Sequence, residues 1–68
     1  MTSTAEIIQI AAESGIPAPI VRWTKALGYS VYAPAADGVD AIGHYKWIWD
    51  ARSLLADDIQ LYLENKQS

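Results

Sequence analysis

The chain has 68 residues, enough for one small domain, and contains no cysteine, which excludes disulfides, thiolate metal sites and a cysteine nucleophile. Half of it is hydrophobic (51%) and 19% is charged, a composition that folds. The net charge is −3 and the pI about 4.7, on the acidic side of what a free-standing nucleic-acid binder usually shows.

In chain order, the first element is a helix. Ser3-Thr4-Ala5-Glu6 fits a capping box, with Ser3 at the N-cap and Glu6 reaching back to its amide. Ile7, Ile8, Ala11 and Ala12 continue as an apolar stripe, and Ser14-Gly15 ends it, so a helix is expected over about 4–14. A short turn, Gly15-Ile16-Pro17, leads to a second helix predicted at about 18–27. Pro17 or Pro19 suits its first turn, Ile20, Val21, Thr24 and Leu27 repeat at helical spacing, and Gly28 stops it. Two short helices joined through a glycine-containing turn have the form of a helix-turn-helix.

The period then changes. Tyr29-Ser30-Val31-Tyr32 reads as a strand, Ala33 to Gly38 as loop with an Asp-Gly turn, and residues 42–49 as a second strand. Alternation along that strand places Tyr45, Trp47 and Trp49 on one face and Ile42, His44, Lys46 and Ile48 on the other. The expected hairpin runs roughly 29–49. Asp50 then caps a last helix with the stripe Leu54, Leu55, Ile59, Tyr62 and Leu63. Residues 65–68 form a polar tail expected to fray. The fold expected is small α+β over 1–68: two N-terminal helices, a β-hairpin and a C-terminal helix.

Enzyme chemistry is poorly supplied. His44 is the one histidine and has no carboxylate at a useful spacing, so it reads as an ordinary strand residue. Asp57 and Asp58 are adjacent in a helix and point about 100° apart, which suits a solvated face better than an acid–base pair. Asp37 and Asp40 are too few for a calcium loop. No catalytic residue, metal site or cofactor is assigned. No apolar run approaches the ~20 residues of a membrane span, and the N-terminus lacks the charge and apolar run of a secretion signal, so a cytoplasmic location is expected.

Binding is the better-supplied activity. Four of the five bases, Arg22, Lys25, Lys46 and Arg52, lie within residues 15–53, and the acids are enriched toward the ends. Arg22 and Lys25, three apart, would share one face of the second helix. Trp23, Trp47 and Trp49 either build the core or form an interface of the aromatic kind that recognition surfaces concentrate.

The run Ile10-Ala11-Ala12-Glu13-Ser14-Gly15-Ile16-Pro17-Ala18-Pro19-Ile20-Val21-Arg22-Trp23 resembles the opening of the MerR-like and excisionase-like winged-helix proteins. Lys25-Ala26-Leu27-Gly28-Tyr29 and Gly43-His44-Tyr45-Lys46-Trp47 are similar to the family's exit toward the wing and to its second wing strand. The resemblance implies a non-catalytic accessory or regulatory protein of a phage or mobile element, bound to double-stranded DNA. Residues 18–27 would lie in the major groove and the 29–49 hairpin would be the wing. Arg22, Trp23 and Lys25 would be recognition-helix contacts, and His44 and Lys46 wing contacts. The alternative is an acidic protein-interaction module, such as a phage-encoded inhibitor, presenting Tyr45, Trp47 and Trp49. The C-terminal helix is the expected surface for self-association.

Overall fold

The segment after Pro19 is extended. Ile20-Val21-Arg22-Trp23-Thr24 is rich in β-branched and aromatic side chains, which suit a half-buried pleated surface better than a helix. A computed structural model, which describes residues 2–67, accordingly has strand β1 at Ile20–Thr24. The expected helix over 18–27 is absent, and with it the helix-turn-helix and the winged-helix order of elements. The observed order is α1 (Ser3–Glu13), β1, β2 (Gly28–Ala35), β3 (Gly38–Tyr45) and α2 (Ile48–Gln67). The fold is still α+β, but with two helices and a three-stranded antiparallel sheet in the order β1-β2-β3.

The sheet registers by Val21 opposite Val31 and Trp23 opposite Tyr29 on one side, and by Tyr29 opposite Tyr45 and Ser30 opposite His44 on the other. A β-bulge falls where Val31 pairs with Gly43 but Tyr32 with Ala41, leaving Ile42 as the extra residue. Strand alternation makes Val31 and Ala33 core residues, joined by half-buried Tyr29 and Val21. Both helices add to this core, Ile7 and Ala11 from α1, and Ala51, Leu55 and Ile59 from α2, each set four apart on one helical face, and Ile16 and Tyr45 complete it. Leu54, expected in the α2 stripe, is instead half exposed, because it sits one position off the Ala51–Leu55–Ile59 line.

The ends of the elements differ from expectation by a residue or more, each for a local reason. Thr2 rather than Ser3 caps α1, its hydroxyl accepting from the Ala5 amide at 3.1 Å. Helix α2 begins at Ile48, ahead of Asp50, and the Trp47 carbonyl accepts from the amides of Asp50 and Ala51. It also continues through residues 65–67 of the expected polar tail; Ser68 lies outside the described residues. Strand β3 stops at Tyr45, so Trp47 and Trp49 are not strand residues.

Two side-chain ties hold the helices. Arg52 on α2 grips Glu6 on α1 through both carboxylate oxygens, with Nη2 donating to Oε1 at 2.9 Å. That guanidinium holds the Glu6 carboxyl below its ordinary range. Asp40 on β3 accepts from the Tyr62 hydroxyl at 2.8 Å and from Lys66 Nζ at 3.3 Å, which lowers its titration in that order of importance.

Tyr45 is the largest side chain of the core. Its ring lies across Gly43, where a Cβ would fall 2.5 Å from the phenol oxygen, and its hydroxyl donates to Asp58 Oδ2 at 2.5 Å. Burial, and then the hydrogen bond to Asp58, push the phenol well above its ordinary range. Below about pH 10 the phenol is protonated in both folded and unfolded chains. As pH rises further the unfolded chain ionises first, so stability falls with rising pH. Tyr45→Phe should cost about 1–2 kcal/mol at neutral pH and flatten this alkaline loss, measured by urea unfolding across the alkaline range.

Candidate functional site

The β1–β2 turn and the exit from β3 meet at one end of the sheet. Lys25-Ala26-Leu27 reverses the chain, with the Leu27 amide donating to Thr24 Oγ1 at 3.1 Å. Gly28 follows at φ +73°, buried against the exit from β3. A Cβ there would lie 2.5 Å from both Lys46 Cα and the Tyr45 carbonyl oxygen. Only glycine satisfies both the backbone angle and the approach. Gly28→Ala should therefore lower stability by about 2–3 kcal/mol, seen as a fall in Tm of roughly 10 °C or more.

This contact brings two lysines and four aromatic rings around one open groove of about 300 Å³. Trp23 and Tyr29 come from the sheet, Lys25 from the turn, Lys46 and Trp47 from the β3–α2 link, and Trp49 from the first turn of α2. The Trp47 and Trp49 rings are stacked, with centroids 5.2 Å apart and planes 7° from parallel. All three tryptophans are more than half exposed. Asp50, in the same first turn of α2, is the acid nearest in sequence.

The sequence-derived site residues divide into two groups. Trp23, Lys25 and Lys46 line the groove together with Trp47 and Trp49. Arg22 alternates to the other side of β1 from Trp23 and shares a cross-strand row with Ser30 and His44. The Ser30 hydroxyl and His44 Nδ1 are 2.7 Å apart, and Ser30 is buried. Tyr45, expected to share a face with Trp47 and Trp49, is in the core instead. With 20–24 a strand, there is no helix at this position to enter a DNA groove.

Two participants escaped the sequence reading: Tyr29 as a wall of the groove and Ser30 as the partner of His44. Both follow from pairing β1, β2 and β3 in register, and the signal for β1 was the β-branched content of Ile20, Val21 and Thr24.

The cations are sorted by position. Among the described residues, Arg52 and Lys66 are engaged in ion pairs with Glu6 and Asp40. Arg22, Lys25 and Lys46 make no such pair. All three sit on the half of the sheet that holds the groove, whereas Asp37 is in the β2–β3 turn and Asp40 lies on β3 near that turn. A second depression of about 250 Å³, between Pro17, Pro34 and Leu63, has Lys66 as its only charged wall, and that lysine is engaged.

No cluster of three or more potential metal-ligating side chains occurs among the described residues, and none of their helices is long and apolar enough to cross a membrane. No protein-family model, curated protein or solved structure matches the chain.

Chemically, the groove offers aromatic side chains beside two ammonium groups. Since Lys25 and Lys46 hold no ion-pair partner among the described residues, Lys25→Ala and Lys46→Ala should each leave thermal stability within about 0.5 kcal/mol of the parent, checked by thermal unfolding.

Proposed function

We propose that the chain is a small, non-catalytic DNA-binding accessory or regulatory protein that contacts DNA through the cationic and aromatic end of its sheet. The observation that supports this is the sorting of charge. Of the three cations without an ion-pair partner among the described residues, Lys25 and Lys46 line the tryptophan groove and Arg22 lies on the other face of the adjacent strand β1.

The overall charge of −3 does not cancel this arrangement. Strand β2 has eight residues, so at about 3.3 Å per residue it separates the acidic turn from the groove by roughly 25 Å. At 0.1 M salt the Debye length is about 10 Å, and the distant acids are screened while contacts are not. Two or three phosphate contacts give only a weak complex and a log–log salt slope of about −2 to −3.

A protein-interaction module is the second reading, and the exposed tryptophans favour it, since such residues dominate binding hot spots. It called for an acidic rim. The groove is flanked by Lys25 and Lys46, with Asp50 close by in sequence, which favours a polyanionic partner.

Tryptophan fluorescence during titration with mixed-sequence duplex DNA tests the proposal. Saturable quenching at low salt is expected, weakening as salt rises with a slope of about −2 to −3, and the slope should lose about one unit in Lys25→Ala or Lys46→Ala. If low salt gives no quenching and single-stranded DNA none either, DNA binding is refuted and a protein target takes its place.

A further inference from the structure

We infer that the groove between Trp23 and the Trp47–Trp49 stack seats an unpaired nucleobase of a single DNA strand, with Lys25 and Lys46 on the phosphates that flank it. This rests on the DNA-binding reading above and narrows it to the form of DNA the site prefers.

Three observations carry the inference. The first is shape. Direct readout of a duplex requires a helix or β-ribbon projecting into a major groove about 12 Å wide, to meet base edges. The feature here is concave, about 300 Å³, and lined by four aromatic side chains, two of them stacked on each other. That volume is at the small end of ligand sites, suited to one planar group. Bases inside a duplex have both faces covered by their neighbours. An unpaired base offers its face, and faces are what tryptophans bind.

The second observation is preorganisation. Trp47 and Trp49 already lie parallel, 7° apart and 5.2 Å between centroids, although both are more than half exposed. Their backbone is fixed by the start of α2, where the Trp47 carbonyl caps the amides of Asp50 and Ala51. A base stacking on this pair therefore meets rings that are already ordered, and little side-chain freedom is lost on binding.

The third is charge. Lys25 and Lys46 reach the groove from two different segments, the β1–β2 turn and the β3–α2 link, and neither is engaged in an ion pair among the described residues. Two ammonium groups from separate segments complement an anionic backbone passing on either side of a seated base.

The test is fluorescence anisotropy with labelled oligonucleotides and the full chain. The probes are an oligothymidylate single strand, a duplex of the same length, and a single strand of that length in which the nucleotides are abasic. The inference predicts that the single strand binds more tightly than either of the others. It predicts that Trp49→Ala weakens single-strand binding by about 5- to 100-fold, the range one aromatic–base stack supports, whereas Trp49→Phe, which keeps a ring face, stays much closer to the parent. Circular dichroism confirms that the variants fold.

If the duplex binds as tightly as the single strand, the inference is overturned while DNA binding stands. If the abasic strand equals the oligothymidylate, or if oligoglutamate displaces the single strand as readily as unlabelled oligothymidylate does, the groove is only an anion site and the base seat is rejected. If no oligonucleotide binds, both this inference and the DNA-binding reading fall.

Discussion

At Gly28 the chain passes so close to the backbone of Tyr45 and Lys46 that no side chain fits between them, and the site is built on that approach. The turn after β1 and the link after β3 are distant in sequence, and each would be a mobile loop alone. Pressed together, they give the groove two walls whose relative position is set by backbone. The same contact directs the chain leaving β3 into α2 across the end of the sheet. Trp47 and Trp49 therefore line one groove with Trp23 and Tyr29 rather than continuing along a strand.

Tyr45 secures the approach from the inside. Its ring fills the space above Gly43, and its hydroxyl reaches Asp58 on α2, so the last residue of β3 is anchored to the helix that follows it. The two ion pairs act further out: Arg52–Glu6 joins the helices, and Lys66–Asp40 joins α2 to β3. Each uses one cation and one anion away from the groove. The acidic excess and the local cationic end are thus compatible, because the structural ties leave Arg22, Lys25 and Lys46 as the bases not held in ion pairs among the described residues.

Much of this order was legible from the residues, and the failures have physical causes. The first helix was readable because capping and the spacing of Ile7 and Ala11 agree, although the cap moved to Thr2. The hairpin β2–β3 was readable because Asp37-Gly38 marks its turn. The segment 20–27 was misread because Ile20, Val21, Thr24 and Leu27 satisfy a helical period while three of the four are β-branched. Period and propensity disagreed, and pairing with β2 decided for the strand. That error also placed Arg22 beside Lys25 on one face, when alternation in a strand sends Arg22 to the side of His44. Lys25, Lys46 and the tryptophans, singled out in the sequence for a helix and a wing that do not form, instead line one groove.

On the proposed DNA-binding reading, the division of the bases between two sides of the sheet bears on what form of DNA suits the site. Arg22 and His44 share a row on one side, Trp23 points to the other, and Lys25 lies just beyond the end of β1. Strand β1 is at the edge of the sheet, so the short route between the two groups passes around that edge. A ligand touching both must bend within the width of a strand. Duplex DNA, with a persistence length of about 50 nm, resists such a turn, whereas a single strand changes direction between one nucleotide and the next. A single strand with one base in the tryptophan groove can continue over β1 and bring a phosphate to Arg22. On that reading, residues that a helix would have presented to a straight duplex are, on a strand, arranged for a flexible polyanion.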